Sequence, residues 1–139
     1  MAVSTHYLSF PTGGNADVID ITDDVSDALL KSGLSRGIAT IFVPGATGAV
    51  TTIEYESGLI SDLKDMLERI APQNTQYAHN LKWGDGNGHS HVRAALLGPS
   101  LSVPFSGDRM QLGTWQQIIF IDLDNRPRDR KLIVQIMGE

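Results

Sequence analysis

The chain has 139 residues, of which 41% are hydrophobic and 19% charged, with a net charge of −5 and no cysteine. That length fits one domain with a real core, the charge speaks against a general nucleic-acid binder, and the low charged share points to surface covered by other subunits. Without thiols, disulfides and thiolate metal sites are excluded, and no window approaches the roughly 18 apolar residues of a membrane span, so a soluble, cytoplasmic protein without membrane contact is expected.

Alternation from Val3 to Phe10 predicts a first strand, with Pro11 to Gly14 as a turn and Ala16 to Ile21 as a second strand. Thr22 then reads as the N-cap of a short helix, because Asp23 and Asp24 follow, Val25, Ala28 and Leu29 share one face, and Gly33 supplies a stop. Ile38 to Val43 is a buried-type strand broken by Pro44-Gly45 and resumed from Ala49 to Tyr55. The clearest helix runs from Leu59 to Ile70, with an apolar stripe opposite Ser61, Asp62, Asp65 and Glu68, and ends before Pro72.

The segment Trp83 to His91 holds two histidines, an aspartate, an asparagine and three glycines. It is too glycine-rich for a good helix or strand. A short helix is expected from His91 to Leu97, stopped by Gly98-Pro99. Leu101 to Phe105 and Arg109 to Leu112 then flank a hairpin loop, and Trp115 to Leu123 and Leu132 to Met137 are two apolar strands joined by a polar turn. The total is a single α+β domain spanning 1–139, mostly antiparallel sheet with one main amphipathic helix.

Several groups carry chemical meaning. In extended backbone His89 and His91 point to one side, so with His79 they can hold a divalent ion such as zinc, magnesium or manganese, or act as an acid/base pair; the bland alternative is a helix cap and a solvated loop residue. Pro44 to Ala49 lacks the lysine ending of a phosphate loop, yet the small residues Gly45, Thr47 and Gly48 suit either an anion nest or a tight turn. Glu54 stands at the end of an apolar strand, as a general base or as a solvated carboxylate. Gln111, Thr114, Trp115, Gln116 and Gln117 suit a polar pocket, cross-strand hydrogen bonds or a subunit interface. Arg126, Arg128, Arg130 and Lys131, beside Asp124 and Asp129, read as a solvated turn or an anion patch.

Three blocks, Phe42 to Glu54, Asn87 to Ser100 and Leu112 to Gln117, together resemble the YjbQ-like family, also called the secondary thiamine-phosphate synthase family, in order and spacing across essentially the whole chain. The resemblance implies a compact α+β domain that trimerises through packed sheets around a threefold axis, with a histidine cleft that sometimes holds a metal. It also implies a weak thiamine-phosphate synthase activity, the condensation of a pyrimidine diphosphate with a thiazole phosphate. In that reading His91, His89 and Glu54 are catalytic, His79, His89 and His91 hold the metal, and Gly45, Thr47, Gly48, Asn87, Arg93 and Gln116 bind the small phosphorylated metabolite. Where many members carry a histidine after the Val-Pro step, this chain has Gly45. The alternative reading is a non-catalytic trimer that binds a metal or metabolite.

Overall fold

A computed structural model describes all 139 residues. Strands β1 (Ala2–Thr12), β8 (Arg128–Gly138), β3 (Arg36–Phe42), β5 (Ser100–Ser106) and β6 (Arg109–Met110) form one sheet in that spatial order, and β2 (Asp17–Asp20), β7 (Gln117–Asp122) and β4 (Gly48–Ile53) form a second. Every pairing is antiparallel. The helices are α1 (Thr22–Ser32), α2 (Ser57–Ile70), α3 (Ala78–Trp83) and α4 (Gly88–Leu97).

The apolar pattern explains the layering. Ile118 and Phe120 of β7 join Ile41, Val134 and Ile136 of the large sheet and Val25 and Leu29 of α1 in one core. Their neighbours Ile119 and Ile121 point the other way, onto Leu67 of α2 and Ala94 of α4. The small sheet is therefore buried on both faces, which is why β7 reads as a continuous apolar run although it is antiparallel. Only one face of the large sheet is covered. Its other face exposes Val3, Tyr7, Ile38, Phe42 and Met137 in neighbouring strands.

Several boundaries differ from the sequence reading. The first strand runs through Pro11 to Thr12, which an edge strand tolerates because a proline there costs no ladder bond. Thr22 is the first helical residue and not the cap; its hydroxyl donates to Asp20 and accepts from the Ile118 amide, so it ties α1 to β7. The cap of α2 is Glu56, whose carboxylate accepts from the Gly58 and Leu59 amides. Trp115 lies outside β7 in an exposed turn.

The largest difference is in the glycine-rich segment. Gly84 and Gly86, with φ of 66° and 63°, turn the chain between α3 and α4, which starts at Gly88, three residues earlier than expected. Gly88 is required by contact, since a β-carbon there would stand 2.6 Å from Cβ of Tyr77, and its amide donates to Asn80. The glycines serve a sharp turn and a close approach. His89 consequently stands in a helix and not in extended chain.

Candidate active site

Residues two apart on a helix diverge by about 200°, so His89 and His91 face opposite sides of α4. His91 is half-buried and faces a groove of about 300 Å³ shared with Gly45, Ala46, Gly48, Ala94 and Pro99. His79, brought in by α3, packs on it with ring centroids 4.4 Å apart and planes inclined by 38°. Behind His79, Oδ1 of Asp85 lies 3.3 Å from Nδ1, close enough for charge attraction but not aligned as a hydrogen bond. A carboxylate beside one ring nitrogen favours the proton there and leaves the other nitrogen for chemistry.

The opposite wall is the turn between β3 and β4. None of the amides of Gly45, Ala46 and Thr47 donates a hydrogen bond within the protein. Beneath Gly45, Nη1 of Arg130 lies 3.3 Å from where a β-carbon would stand. Gly45 also has φ of 150°, so a histidine at this position would bring strain as well as an imidazole.

Arg130 is held by its other nitrogens. Nε and Nη2 each donate to Asp122 at 2.8 Å, and Nη2 also donates to Thr47 Oγ1. Thr47 donates in turn to Asp124, which Arg128 pairs at 2.8 Å. Both aspartates are wholly buried. Burial is the largest influence on each and pushes its carboxyl upward, but hydrogen bonds and charge from Arg130 and Thr12 at Asp122, and from Thr47 and Arg128 at Asp124, hold both below the usual 3.8. Arg128 and Arg130 are thus neither a solvated turn nor a simple anion patch. They neutralise buried carboxylates and brace the 45–48 turn. The sequence signal was the inward alternation of Leu132, Val134 and Ile136, which extends back by twos to Arg130 and Arg128.

The remaining expected residues go elsewhere. Arg93, four residues after His89 and on its face, is buried and bonded to the Ala71 carbonyl and to Glu68, away from the groove. Asn87 is buried, with its side-chain oxygen accepting from the Asn125 amide. Glu54 is exposed beyond the far end of β4, six residues or about 20 Å of strand from Gly48. Gln116 is also exposed, accepting from Gly113 and donating to Thr52. No three histidine, aspartate or glutamate side chains stand together to hold a metal ion, because the helix separates His89 from the other two histidines. The expected three-histidine ligand set does not form within this chain; instead Asp85 stands beside His79, and Arg130, read in the sequence as part of a solvated turn or an anion patch, lies under Gly45.

Residues 6–139 match the family described as UPF0047 protein YjbQ-like. A UPF0047 protein of Methanothermobacter thermautotrophicus is 42% identical over 139 residues, covering 100% of this chain and 95% of its own. Among solved structures, a hypothetical protein from Aeropyrum pernix K1 superposes with a TM-score of 0.91 at 31% identity, covering 98% of this chain and 99% of its own. A YbjQ-like protein of unknown function from Sulfolobus solfataricus P2 gives 0.89 at 31% identity, covering 99% and 100%. No helix is long and apolar enough to cross a membrane.

Proposed function

We propose that this chain, which belongs to the UPF0047 family of YjbQ-like proteins, is a trimeric enzyme of small phosphorylated metabolites working in the His79–His91 groove. The observation that carries the reading is a groove of about 300 Å³ in which His91, backed by His79 and Asp85, shares the lining with Gly45, Ala46 and Gly48 of a turn whose 45–47 amides make no bond within the protein and which Arg130 supports from beneath. Unpaired amides and a braced cation suit phosphate oxygens, and an imidazole suits proton transfer to or from a group held there.

Thiamine-phosphate formation is the first reaction to assay. In it the thiazole nitrogen bonds to the pyrimidine methylene carbon as the carbon–oxygen bond to diphosphate breaks, and the diphosphate leaves with the electron pair. The 45–47 amides and Nη1 of Arg130 would take up the charge on the departing oxygens, while His91, with His79 behind it, would supply a proton or hydrogen bond. No step runs through a metal. The test is release of pyrophosphate from the paired precursors by purified protein, which should be slow against the typical turnover of about 10 per second. Equal release by wild type and His91→Ala would remove the groove from the reaction.

The trimer is part of the proposal and rests on the uncovered face of the large sheet. Tyr7 at 58% and Ile38 at 49% exposure are costly to leave in water on an otherwise ordinary surface. Light scattering should give three times the 15.1 kDa chain mass, and Ile38→Glu should reduce it to one. A wild-type monomer at micromolar concentration would contradict this assignment.

A further inference from the structure

We infer that the face of α4 opposite the groove carries a second, separate binding site for a phosphate-type oxyanion, formed by Lys64, Arg93, Asn15, Gln73 and His89. These side chains line a cavity of about 180 Å³ together with Glu68. That volume is room for about six waters, so it admits one small oxyanion and not a nucleotide.

At the cavity two cations, Lys64 and Arg93, outnumber the one carboxylate, Glu68. Lys64, Asn15 and Gln73 stand at the exposed rim and their side chains make no bond within the protein, while buried Arg93 leaves Nη1 unbonded. His89 is 2% exposed, and its Nδ1 makes no hydrogen bond. The one carboxylate, Glu68, already accepts from Arg93 and from the Gln73 backbone. Buried polar atoms are normally paired, so the unbonded Nδ1 of buried His89 calls for a partner in the cavity, and the two cations beside it make that partner an acceptor. Lys64 gives that acceptor a negative charge to match.

Two further observations agree. The Ser90 hydroxyl stands 3.5 Å from Nε2 of His89, and burial lowers the ring's proton affinity, Arg93 adding to the effect against Glu68 and the Gly86 backbone; a neutral ring that accepts from Ser90 at Nε2 carries its proton on Nδ1. Asn15 and Ala16 hold φ of 54° and 63°, a conformation that costs non-glycine residues about 1–3 kcal/mol each and tends to persist at functional sites.

Nuclear magnetic resonance of the full chain, titrated with inorganic phosphate at constant ionic strength, reads the two faces separately. The His89 ring and the side-chain amides of Asn15 and Gln73 report on this cavity, and His91 and the Gly45 to Thr47 amides report on the groove. The cavity signals should shift together with a dissociation constant of order 1 mM, and Lys64→Met should weaken that binding at least about tenfold without altering the groove response, as loss of one charged hydrogen bond does. Sulfate should bind similarly and chloride not at all. Cavity signals that stay fixed while phosphate is added, or equal affinity in Lys64→Met, would overturn the inference whatever the groove does.

Discussion

Arg130→Met should cost about 3–5 kcal/mol of folding stability, because it leaves Asp122, wholly buried and bonded twice by the guanidinium, as an uncompensated charge. For a chain of this size that is a fall in melting temperature on the order of 10–20 °C. The double variant Asp122→Leu, Arg130→Met should recover most of it, since replacing both partners of a buried pair by apolar groups is often close to neutral. The pH dependence follows the same pair. Both aspartates titrate below 3.8 in the folded protein, so their contribution is complete above that value and is lost as pH falls through it towards the folded values. Calorimetry should therefore show part of the acid destabilisation of the wild type missing in the double variant. A loss below about 1 kcal/mol for Arg130→Met would mean that the pair is solvated and does not brace the turn.

His91→Ala should lower turnover at least about a hundredfold, the scale of a lost general acid or base, while changing the melting temperature little because the ring is only half-buried. His79→Ala should have a smaller effect on turnover, and Asp85→Asn a smaller one still, because these residues act through His91 and not on the substrate. The order His91, His79, Asp85 is what the stacking and the 3.3 Å contact dictate. A reversed order, or a large loss of stability with unchanged turnover, would assign the histidines to structure.

Local patterns in the chain carry much of this architecture. The 3.6-residue stripe of α2 and the alternation of β1 sufficed for those elements, and the excess of strands over helices for an α+β domain, whereas β8 is apolar only from Leu132 and runs back to Arg128, and only β5 and β6 pair as a sequential hairpin. The site was harder, for two physical reasons. First, three glycines in five residues suggest loose chain, whereas here two of them make a turn and the third permits a close approach, so α4 begins early and sends His89 and His91 apart. Second, the groups that complete the groove are distant in sequence. Thr47 and Arg130 meet across 83 positions, and no local periodicity encodes the carboxylate that draws them together. Arg93 shows the same limit, since a cation in a histidine-rich segment suggests phosphate, but its partners Glu68 and Ala71 come from the end of α2.

The groove is tested most directly by titrating the protein with inorganic pyrophosphate while following backbone amide resonances. The unpaired amides of Gly45, Ala46 and Thr47 and the His91 ring should shift together and saturate, and Arg130→Lys, which keeps the charge but loses the fork, should weaken the response about tenfold or more. If those three amides stay unmoved at saturating pyrophosphate, the turn is only a turn and the assignment of the groove to phosphorylated substrates fails.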